Sequence, residues 1–111
     1  MSTLEELGFA AYAVAEESGW HQTLTYPLTT ERQMTNLALI HSEVSEAVEA
    51  VRKDPAHQME ELADIIIRVV EYAEMLCIDT PQVSLTVAVN EKMRKNRERL
   101  DVPARAGGKV I

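Results

Sequence analysis

A chain of 111 residues is long enough for one domain and too short for two. Its apolar fraction of 46% argues against disorder, and with only 5% aromatic residues the core must be aliphatic. The single cysteine, Cys77, excludes an intrachain disulfide and a multi-cysteine zinc site, and the net charge of −7 argues against a nucleic-acid polymer as partner.

The charge is unevenly spread. Residues 1–91 hold sixteen acidic and four basic side chains, and residues 92–111 hold two and seven. The basic end is either a solvated helix terminus, favourably placed on its dipole, or a partner for a small phosphorylated ligand. Glu5 and Glu6 with no basic stretch before them argue against a signal peptide. Arg68, Glu71 and Glu74 interrupt the longest apolar stretch, which argues against a membrane span. A cytoplasmic, soluble protein with no membrane partner is expected.

The first helix starts at Thr3, where Thr3-x-x-Glu6 reads as a capping box. Leu4, Leu7, Ala11, Val14 and Ala15 follow at helical spacing, and Gly19 is a stop. Phe9 and Tyr12 are read as packing residues of this helix. Residues 19–29 form a loop, longer than bundle connections usually are, and long loops often carry function. Trp20, the only tryptophan, lies in it. It is a candidate either for stacking on a nucleobase or for plugging the loop against the helices.

The second helix starts at Thr29 or Thr30, with Thr30-x-x-Gln33 as a second capping box. Leu37, Ile40, Val44, Ala47 and Val51 mark its apolar face, and Asp54-Pro55 ends it, because proline disfavours the α conformation in the residue before it. The third helix is expected from about Ala56 to Cys77. Its stripe of Leu62, Ile66, Val69, Ala73 and Leu76 is widened by Ile65, Ile67 and Val70, so it should be the most buried. Thr80-Pro81 reads as the start of a fourth helix, with Thr80 as N-cap. Val83, Leu85, Val87 and Val89 alternate like a strand, but a lone strand has no sheet to join, so a helix is expected. Residues 1–100 are thus expected to form one all-α, four-helix bundle-like domain, and residues 101–111 an extended or mobile tail.

Two acidic pairs stand inside otherwise apolar helices: Glu43-x-x-Glu46 and Glu61-x-x-Asp64. Residues three apart share one helix face. In an antiparallel hairpin closing at Asp54-Pro55 the two pairs fall at similar heights. Four converging carboxylates repel one another unless a cation neutralises them, and an all-oxygen donor set suits Mg²⁺. The competing reading is a solvated face, since glutamate is common on helix surfaces and Glu49 extends the first pair to a triplet. A redox di-iron site is disfavoured because the Glu-x-x-His spacing of such sites is absent.

These motifs carry a resemblance. Leu39-Ile-His-Ser-Glu-Val-Ser-Glu-Ala47, Glu60-Glu-Leu-Ala-Asp-Ile65 and Glu91-Lys-Met-Arg-Lys-Asn-Arg-Glu-Arg99 are similar to the motif helices of the MazG-like all-α nucleoside triphosphate pyrophosphohydrolases. The resemblance covers roughly residues 30–111. It implies a MazG-type domain that hydrolyses a nucleoside triphosphate between the α and β phosphates, giving a monophosphate and pyrophosphate. It implies Mg²⁺, or Mn²⁺ in its place, held by Glu43, Glu46, Glu61 and Asp64, with Glu43 orienting or deprotonating the water. It implies triphosphate contacts from Lys92, Asn96 and Arg99, and self-association into a homodimer or homotetramer that completes the pocket. One departure stands out: Ser42, preceded by His41, occupies a position where many relatives carry a further acid, which bears on the number of metal ions. An all-α dUTPase-like hydrolase, a non-catalytic nucleotide- or metal-sensing module and a plain helical assembly protein are the alternatives.

Overall fold

The computed structural model describes residues 3–101. The tail expected beyond residue 101 lies outside the described residues. Four helices and no strand are present among the described residues, so the all-α expectation is met.

Helix α1 spans Leu4–Glu17. Its capping box forms as expected: the Glu6 backbone N–H donates to Thr3 Oγ1 at 3.1 Å, and the Thr3 N–H donates to Glu6 Oε1 at 2.9 Å. The helix ends at Ser18, and Gly19 follows with φ 77°, a left-handed conformation that glycine adopts without Cβ strain. Phe9, expected to pack, is 68% exposed, because it lies away from the face that meets the rest of the molecule.

Helix α2 spans Thr30–Lys53. Its N-cap is Thr29, whose extended backbone lets Oγ1 accept the Arg32 N–H at 3.0 Å. The box expected on Thr30 and Gln33 is not made, since Thr30 is already helical and the Gln33 amide donates instead to the Leu28 carbonyl. After Asp54, a single 3-10 turn at Pro55–His57 reverses the chain, and helix α3 runs over Gln58–Asp79. That turn delays α3 by two residues from the expected start. The α2–α3 pair is antiparallel: Asn36 donates to the Met75 sulfur at 3.6 Å near one end, and Arg68 reaches Glu43 nearer the turn.

Helix α4 spans Leu85–Asp101. It does not start at Thr80-Pro81, which instead forms a turn closed by the Val83 N–H on the Thr80 carbonyl. Ser84 opens the helix, its Oγ accepting the Val87 N–H at 3.2 Å. The reason is tertiary: Glu5 of α1 accepts from the Ser84 hydroxyl and from the Thr86 backbone and hydroxyl, which fixes the helix start there.

Helix α3 is central, with α1 and α2 packed along it and α4 joined through α1. Val70 and Met75 of α3 are the most deeply buried apolar residues, and Ala15, Leu28 and Ala50 are also buried. The α1–α3 approach is close enough that a Cβ on Gly8 would stand 2.6 Å from the Val70 carbonyl oxygen. The first half of α3 is less buried than its composition suggests: Leu62, Ile66 and Ile67 are each about half exposed. No described helix is long and apolar enough to cross a membrane.

Candidate metal centre and adjoining cleft

Helix phasing places Glu43 with Glu46 on α2, and the α2–α3 hairpin brings Glu61 to the same height. One carboxylate oxygen from each of Glu43, Glu46 and Glu61 lies within 4.8 Å of the others. Asp64 falls outside this group. Its side chain is exposed, and it lines a cleft together with Glu43. Glu49 is drawn away, with Lys53 Nζ at 3.0 Å and Arg52 at 3.7 Å, so the triplet on α2 resolves into a clustered pair and a neutralised neighbour.

The carboxylates of the cluster repel one another. Glu43 raises the Glu46 carboxyl above the ordinary glutamate value by its charge; desolvation, a hydrogen bond with Glu43 and the charges of Glu61 and Asp64 add to this. Glu61 Oε2 is buried and has no hydrogen-bond partner. A buried carboxylate oxygen without a donor is costly, and a cation compensates it without one. These three carboxylates, with Asp64 adjoining, fit a hard divalent ion of the Mg²⁺ or Mn²⁺ type.

Two clefts flank the cluster. One, of about 460 Å³, is lined by Ser42, Ser45, Glu46, Glu49, Lys53 and Glu61 among others. The other, of about 240 Å³, is lined by Trp20, Glu43, Asp64, Ile67, Arg68 and Glu71 with the end of α1. Trp20 is 60% exposed and lines this cleft, so it is not sealed in as a plug. The residue after it is anchored firmly. His21 is buried, with Nδ1 3.0 Å from Glu16 Oε2, Nε2 3.0 Å from Glu71 Oε2, and the Tyr12 ring at a centroid distance of 4.4 Å. Arg68 joins the two halves of the cleft. Its Nε lies 3.4 Å from Glu43 Oε1, and its guanidinium carbon lies 4.9 Å from the centre of the Trp20 ring.

Neither cleft is lined by Lys92, Asn96 or Arg99. These three share a face of α4, where Lys92 is exposed and Arg99 donates to Asn96 Oδ1 at 3.5 Å. Their neighbour Arg94 is taken up by Glu91 and Glu98 on the same helix. His41 and Ser42 are both exposed, and only Ser42 borders a cleft at the cluster.

Sequence reasoning passed over Arg68 and the His21 clamp. Arg68 was legible in principle: it stands four residues after Asp64 and seven after Glu61, so the polar stripe of α3 continues through it to Glu71. The clamp had no such signal, since His21 and Glu71 lie 50 residues apart.

The described fold is thus all-α, with three clustered carboxylates on the α2–α3 hairpin beside a cleft that Trp20 lines. The chain belongs to the family of the MazG nucleotide pyrophosphohydrolase domain, whose sequence model matches residues 31–102, more than half of its length. The match takes in both acidic pairs and the basic face of α4. No curated protein and no solved structure matches the chain.

Proposed function

We propose that this protein is a Mg²⁺-dependent nucleoside triphosphate pyrophosphohydrolase. It cleaves between the α and β phosphates to release a nucleoside monophosphate and pyrophosphate, and so clears unwanted nucleotides from the pool. The observation that carries the reading is the cluster of Glu43, Glu46 and Glu61 with its orphaned Glu61 oxygen, in a chain of this family.

Glu43, Glu46 and Glu61 hold the cation, with Asp64 at the rim of the cleft as fourth ligand. When bound, Mg²⁺ (or Mn²⁺) neutralises the phosphate oxygens and the charge that develops on them. Glu43, at the junction of cluster and cleft, orients the attacking water and accepts its proton. Phosphoryl transfer depends mainly on positioning and electrostatics, so no nucleophilic side chain is required. Trp20 stacks on the base. Lys92, Asn96 and Arg99 contact the triphosphate. Since α4 joins the body through α1 and its basic face borders neither cleft, they do so from α4 of a second copy.

Self-association as a homodimer or homotetramer is supported by the apolar surface left open on one copy. A cleft of about 640 Å³ between α1 and α3 is lined almost wholly by aliphatic residues, among them Leu7, Val14, Met59, Leu62 and Ile66. A face of this kind on so small a chain is stabilised by a partner.

The test is pyrophosphate release across a panel of canonical and modified nucleoside triphosphates, with and without Mg²⁺. Mg²⁺-dependent release from one or more of them is expected. Release confined to dUTP would favour the dUTPase-like alternative. Mg²⁺ binding with no turnover of any nucleotide would favour a sensing module, and no effect of Mg²⁺ on melting would favour a purely structural role.

A further inference from the structure

We propose that Arg68 is a metal-gated substrate-binding residue. It holds Glu43 and the face of Trp20 while the cation is away, and turns to the phosphates of the ligand when the cation takes Glu43. The inference rests on the metal centre proposed above.

Arg68 is set among partners that cannot all be kept. Its side chain and that of Glu43 are only 21% and 17% exposed, so their ion pair is shielded from water. Glu43 is also one of the three clustered carboxylates. A divalent ion in that cluster competes for the same carboxylate with twice the charge of a guanidinium, and it repels the guanidinium at this range. Arg68 therefore acts as an internal counter-ion of Glu43 and gives way when a cation takes that carboxylate.

A displaced guanidinium in a partly buried cleft needs another anion. Of the other carboxylates lining the cleft, Glu71 is committed to His21, and Asp64 adjoins the cluster. The compensating anion then arrives with the ligand. The planar fork of arginine suits phosphate oxygens. The same movement lifts the guanidinium off the indole and leaves the Trp20 face free for a base. Cation loading, phosphate binding and base stacking are thereby coupled through one side chain.

Because Trp20 is the only tryptophan, its fluorescence reports the movement directly. In the full chain, Mg²⁺ alone is expected to shift Trp20 emission saturably, with the same midpoint as its effect on melting temperature. Glu43→Gln should show the shifted emission without Mg²⁺, since the tether is gone. Arg68→Met should still be stabilised by Mg²⁺, should bind it several-fold more tightly, and should lose the emission change. With Mg²⁺ present, the same variant should bind inorganic tripolyphosphate several-fold more weakly. If Mg²⁺ stabilises the chain but leaves Trp20 emission unmoved, or if Arg68→Met responds like the wild type, the gating is overturned and the metal centre stands. If Mg²⁺ neither stabilises the chain nor alters its emission, both fall. Should Arg68→Met fail to fold, the metal-free emission of Glu43→Gln decides: a spectrum identical to that of the metal-free wild type overturns the gating.

Discussion

Glu5 on α1 accepts both the backbone N–H and the hydroxyl of Thr86, at 3.1 and 2.9 Å, and so seals the start of α4 from a position eighty-one residues away. Desolvation works against ionisation of this carboxyl, but the Thr86 and Ser84 hydrogen bonds outweigh it and hold its pKa below the ordinary glutamate value. A carboxyl lowered in the folded state contributes stability that is present above its unfolded pKa and is lost as pH falls through the folded one. Acidification below the usual carboxylate range is therefore expected to loosen α4. The melting temperature, followed by circular dichroism from neutral to acid pH, should fall more steeply for the wild type than for Glu5→Gln, which starts lower at neutral pH.

Gly8 is expected to tolerate no side chain. A Cβ there meets backbone, not the flexible end of a side chain, so α1 and α3 must separate to admit it. Helix propensity favours alanine over glycine by about 1 kcal/mol, while overpacking of a close helix contact costs about 1–3 kcal/mol. Gly8→Ala should lower the urea midpoint; a midpoint raised by the propensity gain would show that the helices stand further apart.

Ile66, half exposed on the apolar face between α1 and α3, probes self-association. Ile66→Asp leaves the carboxylate cluster untouched but sets a charge in the proposed contact, where an unpaired buried charge is strongly unfavourable. Sedimentation velocity should give an oligomer for the wild type and a smaller species for the variant, with helix content retained. A wild-type chain that is monomeric at all concentrations would remove the role given to a second copy.

The helices and the acidic pairs were legible because both rest on local spacing. The Thr3 capping box, the stop at Asp54-Pro55 and the phasing of Glu43 with Glu46 need only a few neighbouring residues. The start of α4 was misplaced because the proline signal at Thr80-Pro81 is local, while the contact that sets the helix start comes from Glu5. The exposure of Ile66 and Ile67 was hidden for a related reason: a wide apolar stripe does not say whether its cover is in the same chain. Asp64 was legible as a member of an acidic face, but not as a residue of the cleft rim outside the three-carboxylate cluster. The His21 clamp, made from residues of α1, the loop and α3, was beyond any reading of spacing.

Above all, the carboxylate cluster is proposed to be a catalytic metal centre. Its most direct test is pyrophosphate release from a turned-over nucleoside triphosphate by the wild type, Glu43→Gln and Asp64→Asn at saturating Mg²⁺, with circular dichroism to confirm that each variant is folded. Each loses a carboxylate that the reading assigns to the cation, so both are expected to lose Mg²⁺-dependent release while keeping their helices. Full activity in both folded variants would contradict the account and remove the cluster from the chemistry.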